Sequence, residues 1–313
     1  MSLEHWEAYY RGGLLATCPT DAGGGYDREL REAWVEFFAG LPDGARVLDV
    51  GTGNGAVALI ASETAAATGR RFEIHGTDLA LIDPPRHVPD GARRFAGVRF
   101  HPRIATERLP FEPASIDAVS GQYALEYAAV PAALAEIARV LRPGGRARFI
   151  LHHAESVLAR NAHASLEQAQ LVLRETKVYA RLRRHLAAER ESPAAAGRTW
   201  QDLGAAATRL QQALAAAPGA LVLRVTLDAV QKLLAARQQL PTAALDREVD
   251  RVESDLRASV RRLVDLVERA RGEDDMQAIE REAAAAGLAV EERCRQLHGG
   301  DNLVGWRLTL LRT

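Results

Sequence analysis

The chain has 313 residues, enough for one large domain or two ordinary ones, with 47% hydrophobic and 26% charged residues and a net charge of −1. That balance excludes a global basic field for nucleic acid and an acidic tail. Two cysteines, Cys18 and Cys294, make no disulfide framework.

Positive charge is almost all arginine, with lysine only at Lys177 and Lys232, which reads as the codon bias of a GC-rich bacterial genome. The opening "MSLEHWEAYY" has neither the basic nor the apolar region of a signal peptide. No apolar run approaches the ~18 residues that span a membrane. A cytoplasmic protein is expected.

The first 44 residues precede any strand signal. They are rich in aromatics and then in glycine, and predict a helical or lid-like segment. From Ala45 to His153 short apolar runs alternate with amphipathic ones. "ARVLDV" predicts a buried strand and "GAVALIASETAAATG" a helix. "RFEIHGTDL", "GVRFHPRI" and "IDAVSGQYAL" predict three further strands. "VPAALAEIARVLRP" predicts a helix stopped by Pro143, Gly144 and Gly145, and "RARFILHH" a fifth strand. Strands alternating with helices imply parallel pairing in a three-layer α/β domain.

Between residues 154 and 272 no strand is predicted. "LEQAQLVLRETKVYARLRRHL" reads as one helical stretch. Leu223, Leu227, Val230 and Leu234, and then Leu245, Val249, Val252, Leu256, Val260, Leu263 and Val267, recur three or four residues apart. "SPAAAG" and "APGA" are the expected breaks. This block is expected to be an inserted helical cap or oligomerisation surface, with a homodimer as one outcome. Its mild basic excess does not argue for nucleic acid. Residues 273–313 return to α/β character, with a helix closed by Gly287 and two strands joined by "HGGDN", a loop short enough for antiparallel pairing.

The stretch "VLDVGTGNGAVALIA", Val47 to Ala61, sets Asp49 in a buried strand and then gives up side chains at Gly51, Gly53 and Gly55. A strand running through a glycine-rich turn into a helix makes a site for a polar or anionic ligand. "GTGNGA" fits a permissive dinucleotide fingerprint. Nicotinamide sites keep that strand end apolar, whereas Asp49 suits a ligand with a positive group.

"VLDVGTGNG" resembles motif I of the class I S-adenosylmethionine-dependent methyltransferases. "GTDL", "ERLPFEPASIDAVSGQYALEY" and "ALAEIARVLRPGGRARFIL" resemble later motifs of the small-molecule, type 11 kind, in order, and the terminal hairpin resembles their antiparallel seventh strand. The resemblance implies a Rossmann-like α/β three-layer sandwich with a mostly parallel seven-stranded sheet, formed by residues 45–153 and 273–313 and interrupted by the all-α block. It implies S-adenosylmethionine as cofactor and S-adenosylhomocysteine as product.

By that resemblance Asp49, Gly51, Thr52, Gly53 and Gly55 would hold the methionine portion. Asp78 and Leu79 would meet the ribose and adenine, with Ala105 and Thr106 on the adenine side. Ala105 stands where the family often has an acid, so Thr106, Glu107 or a backbone N–H would serve instead. Gln122 and Tyr123 would line the methyl-donor site, and Tyr10 belongs to a segment that folds over the cofactor. Glu126 and Tyr127 are expected on a following helix.

His152 and His153, at the end of the fifth strand, and Tyr123 are the candidate catalytic groups, with His153 favoured as base. Cys18 shows no partnered base and no metal site is expected. The functional reading is methyl transfer to an O, N or C atom of a small molecule. The alternatives are an RNA or protein substrate, or a non-catalytic module acting through the helical block.

Overall fold

Five apolar runs separated by helix-length segments can pair only in parallel, because each returns to the same edge through a crossover. The computed structural model, which describes residues 3–18 and 24–313, builds the chain in the order α1 (Glu4–Arg11), α2 (Arg28–Ala39), β1 (Arg46–Val50), α3 (Ala56–Ala67), β2 (Glu73–Asp78), α4 (Pro84–His87), α5 (Gly91–Arg94), β3 (Val98–Pro102), β4 (Ile116–Gln122), α6 (Val130–Val140) and β5 (Leu141–Leu151). The helices α7 (Val157–Gln170), α8 (Val178–Glu191), α9 (Pro193–Ala216), α10 (Leu221–Ala236), α11 (Thr242–Arg269) and α12 (Glu273–Ala285) follow, and β6 (Leu288–His298) and β7 (Asn302–Arg312) close the chain. Two compact units result: Met1–Ala159 with Glu268–Thr313, and Arg160–Val267.

In the first unit a seven-stranded sheet runs in the order β3-β2-β1-β4-β5-β7-β6. The first five strands are parallel, and β7 is antiparallel to both β5 and β6. This is a Rossmann-like sheet with an antiparallel hairpin. The chain reverses its winding between β1 and β4, and such a switch point opens a crevice at the carboxyl ends of the strands. Register places Asp49 beside Ser120 on one side and Gly76 on the other.

Both faces are covered. Trp34 and Phe38 of α2 and Leu59 and Ile60 of α3 pack over Val47, Ala118 and Ile150. On the other face Leu134 and Ile137 of α6 and Met276 and Ile279 of α12 pack over Leu48, Val119, Phe149 and Leu308. Arg148 ties α2 to the sheet. Its guanidinium donates to the Ala33 carbonyl at 2.7 Å and to Thr309 Oγ1 at 3.0 Å, and lies 5.1 Å from the Phe37 ring centroid.

The second unit is helical, and the apolar stripes of α10 and α11 supply its core, with Leu223, Val230, Leu245 and Val249 buried beside Leu182, Leu203 and Leu210. The single helix expected over "LEQAQLVLRETKVYARLRRHL" is divided. A π-helical turn, Leu171–Thr176, follows α7, and Lys177 then takes a left-handed conformation, φ 49°, before α8 begins. The Thr176 hydroxyl donates to the carbonyls of Leu171 and Val172, which favours the wider turn. The break expected at "SPAAAG" falls at Ser192, between α8 and α9: Ser192 Oγ accepts the Ala195 N–H and Pro193 starts the next helix, the N-cap and N1 roles those residues favour. Among the described residues no helix is long and apolar enough to cross a membrane.

Candidate active site

The glycine loop leaves β1 at Val50 and enters α3. Gly51, Gly53 and Gly55 have φ of 59°, 52° and 83°, a region side chains avoid. Space is as restrictive as φ. A Cβ on Gly51 would stand 2.5 Å from the Ala124 Cβ, and one on Gly53 would stand 2.8 Å from the Tyr10 ring. The loop is therefore pressed between the end of β4 and α1.

Two buried carboxylates hold it. Asp49 is 1% exposed. It accepts hydrogen bonds from the Thr52 hydroxyl at 2.6 Å and the Ser120 hydroxyl at 2.8 Å. Asp78 is 7% exposed and accepts from the Gly53 N–H at 2.8 Å and the Ala80 N–H at 2.8 Å. Burial pushes the Asp49 carboxyl up to about 7, against the lowering effect of Thr52 and Ser120. Burial likewise pushes Asp78 up to about 6, against its two backbone donors.

Among the described residues neither acid forms an ion pair. Buried charge without a counter-charge is costly, and burial accordingly favours the protonated form of both acids. Each oxygen also keeps lone-pair capacity beyond the bonds it makes.

The N-terminal segment roofs the loop. Asn54 donates its amide to the carbonyls of Tyr10 at 2.9 Å and Leu14 at 2.7 Å, a clasp that sequence reasoning missed although Asn54 stands within "GTGNGA". Tyr10 is buried over Gly53, and burial, then Asp78, raises its hydroxyl well above the usual value. Trp6 stacks on Tyr10 with ring centroids 6.0 Å apart and meets Tyr127 edge-on at 5.9 Å. Arg103, just past β3, pairs with Glu7 of α1 at 2.7 Å.

Beyond β2, Leu79 is 50% exposed, an apolar side chain left in solvent directly after Asp78. Ala105 and Thr106 are half-buried in the loop after β3, which is fastened to this strand end by the Ile104 N–H on the Asp78 carbonyl at 2.9 Å. Glu107 does not replace the acid missing at Ala105. Its carboxylate accepts the Ala129 N–H at 2.7 Å and caps the start of α6.

The end of β4 and the end of β5 meet in a second buried cluster. Gln122 accepts the Trp34 indole N–H at 2.5 Å, so its oxygen is occupied by the core, while its buried Nε2 has no partner among the described residues. Tyr123 takes a left-handed conformation, φ 53°, fixed by its N–H on the Ile150 carbonyl at 2.7 Å and its hydroxyl on the Val304 carbonyl at 3.1 Å. That hydroxyl is committed to a backbone carbonyl.

His152 stacks on Tyr123 at 4.0 Å. Glu126 lies in a 3-10 turn, Leu125–Tyr127, rather than on a regular helix. Its Oε1 meets His152 Nδ1 at 2.8 Å and accepts the His152 N–H at 2.7 Å, and Glu126 has no exposed surface.

Successive residues of a strand face opposite sides, and the two histidines divide accordingly. His153, the favoured base of the sequence reading, stacks on Trp306 at 4.4 Å and accepts the Glu155 N–H on Nδ1 at 2.9 Å. Burial lowers its affinity for a proton, and the charged groups that act on it are Arg295, Glu155 and Glu273. The geometry assembles His152, not His153, with a carboxylate.

Burial alone would lower the His152 pKa. The Cys18 thiol and Glu126 outweigh it and raise the imidazole to about 9. Among the described residues no group of three or more His, Cys, Asp or Glu is placed to hold a metal ion.

Residues 47–145, which carry both acids, the glycine loop and Glu126, match the family model described as a methyltransferase domain. Over 139 residues the chain is 30% identical to the biotin biosynthesis bifunctional protein BioHC of Cellvibrio japonicus, a match covering 42% of this chain and 24% of that protein. The chain thus spans about a quarter of that curated relative.

Among solved structures, a SAM dependent methyltransferase from Aquifex aeolicus aligns over 90% of this chain and 89% of its own, at 12% identity and a TM-score of 0.44. Geranyl diphosphate C-methyltransferase from Streptomyces coelicolor aligns over 47% of this chain and 63% of its own, at 20% identity and a TM-score of 0.35.

The first unit carries its own pH dependence. Asp78, Asp49 and His152 all bind protons more tightly folded than unfolded, so the stability they contribute is lost as pH rises from each group's ordinary range to about 6, 7 and 9 respectively. The melting temperature of the ligand-free protein is therefore expected to fall from about pH 4 up to pH 9. Asp49→Asn should flatten the part between about pH 4 and pH 7, and a profile that Asp49→Asn leaves unchanged would contradict the assignment.

Proposed function

We propose that this chain transfers a methyl group from S-adenosylmethionine to an O, N or C atom of a small-molecule acceptor and releases S-adenosylhomocysteine. The observation that carries this reading is the pair of buried carboxylates, Asp49 and Asp78, flanking a loop where no side chain fits, inside the segment matched as a methyltransferase domain. A ligand with an ammonium group and a ribose diol supplies the positive charge and the donors those acids lack. When bound, this cofactor supplies a methyl group on a sulfonium, already activated for in-line displacement.

The chain's own residues then have defined tasks. Asp49 receives the ammonium group, directly or through water, while holding the loop through Thr52. Asp78 keeps its two backbone donors and uses its remaining lone pairs for the ribose hydroxyls. Leu79 offers an apolar face for adenine, with Ala105 and Thr106 across from it. Tyr10 excludes water from above Gly53.

His152 and Glu126 handle the acceptor's proton. Glu126 fixes the imidazole by its Nδ1 and leaves Nε2 to take a proton. With no other cation bound, His152 already holds that proton up to about pH 9. The neutral imidazole that can act as base therefore accumulates as pH rises toward 9. A small acceptor suits a proton acceptor that lies below the molecular surface, as His152 does.

Thermal-shift titration tests the cofactor. S-adenosylmethionine and S-adenosylhomocysteine at ~100 times their dissociation constants should add about 2.7 kcal/mol of stability, Asp49→Ala should abolish the effect, and NAD should give none. Binding should weaken below pH 6, where both acids are protonated. Stabilisation by NAD alone would overturn the reading. Once an acceptor is in hand, His152→Gln should slow methyl transfer by roughly 10²–10⁴ and remove a rising limb from the pH–rate profile. A limb retained in that variant would take the proton away from His152.

A further inference from the structure

The chain leaves the first unit after Ala159 and re-enters it at Glu268. Arg271, just past that return, is bonded to both members of the proton-handling pair. Its N–H donates to the His152 carbonyl at 2.7 Å. Its carbonyl accepts the Ala154 N–H at 3.0 Å and the Trp306 indole N–H at 2.9 Å, which sets Arg271 in a parallel bridge with His153. From that fixed backbone the side chain reaches the turn that carries Glu126, and Nη2 donates to the Glu126 carbonyl at 2.9 Å. Among the described residues this is the guanidinium's one hydrogen bond, and it pairs with no carboxylate. Other arginines of this unit answer carboxylates, as Arg139 answers Glu136 at 2.7 Å.

The Glu126 turn needs a holder. It is a single 3-10 turn, Leu125–Tyr127, and so short a turn has few bonds of its own. Yet Glu126 Oε1 meets two nitrogens of His152 at once, Nδ1 at 2.8 Å and the backbone N–H at 2.7 Å. Moving the turn away by about 1 Å would break both bonds. A cationic donor holds a carbonyl more firmly than a neutral one. The same residue holds the His152 carbonyl, so the carboxylate and the imidazole are fixed from both sides by Arg271.

We propose that Arg271 is a positioning residue for proton transfer, its guanidinium locking the Glu126 turn and its backbone locking the segment of His152. It acts through those two residues, and the proposal rests on the reading of them as the groups that handle the acceptor's proton.

The test reads His152 directly, by NMR titration of its imidazole carbons in the full chain without cofactor or acceptor. The titratable groups that face the ring are Glu126, Cys18, Tyr123 and Tyr127, and Glu126 holds the imidazole's proton affinity up. Glu126→Gln supplies the midpoint of a His152 without that charge. Arg271→Met and Arg271→Gln should lower the midpoint by roughly one pH unit or more, toward the Glu126→Gln value. Arg271→Lys, which keeps a cationic donor, should restore at least half of the difference. A residue that only supports the fold would lower the melting temperature and leave the midpoint of the folded variant in place. In the native chain the Arg271 guanidinium should give separate Nη resonances, as a group held in one orientation does. A single averaged resonance, or a midpoint unmoved in the folded variants, would overturn the proposal. With an acceptor in hand, Arg271→Met should lower kcat about 10²-fold at nearly constant KM and move the rising limb to lower pH. A kcat loss with the limb in place would also overturn it. Failure of the methyl-transfer reading would show separately, as a native chain that does not bind S-adenosylhomocysteine, and leaves the titration intact.

Discussion

The first unit is organised around the cost of burying two carboxylates without a cation. Asp49 is the penultimate residue of β1, with Gly76 of β2 as its register partner, and Asp78 ends β2 two residues further on. Neither can be solvated and neither forms an ion pair among the described residues. The fold answers with hydroxyl and backbone donors, and those donors shape the site. Thr52 is turned toward Asp49, Gly53 toward Asp78, and the loop between them is bent until only glycine fits. The donors do not fully offset burial, so both acids keep a raised affinity for protons. In the proposed function that residual cost is what a cationic ligand would relieve, which would link cofactor recognition to pH.

A second constraint lies at the next switch in the sheet. Tyr123 leaves β4 in a left-handed conformation, a strained state for a bulky residue. It is held from both ends, by its N–H on Ile150 and its hydroxyl on Val304. The strain turns the ring flat against His152 and carries the chain to Glu126 within one short turn. Ala124, between them, is the residue that presses on Gly51. The loop and the proton-handling pair are thus built on adjacent residues, and a shift at Ala124 moves both.

Much of this was legible in the sequence. The alternation of short apolar runs and amphipathic segments specified the strand sequence, and "HGGDN" specified the antiparallel hairpin, because short-range pattern and turn chemistry decide those features. Asp49, the glycines and Asp78 were legible because a buried acid and repeated glycine are both expensive without a purpose.

What was not legible depends on facing and on long-range proximity. Which of two adjacent histidines meets a carboxylate depends on which way each points just past β5, and "LHHAES" does not contain that information. Glu126 is remote from His152 in sequence. Their meeting is a product of the sheet order. The division of α7 from α8 rests on a π turn and one left-handed lysine, which helical periodicity does not reveal.

The most direct test of the account is carboxyl-carbon NMR of Asp49 and Asp78, titrated with and without S-adenosylhomocysteine. The free protein should show titrations near 7 and 6, and ligand should drive the Asp49 midpoint down by more than one pH unit as its ammonium group arrives. Midpoints in the ordinary aspartate range in the free protein, or an Asp49 midpoint unmoved by saturating ligand, would contradict it.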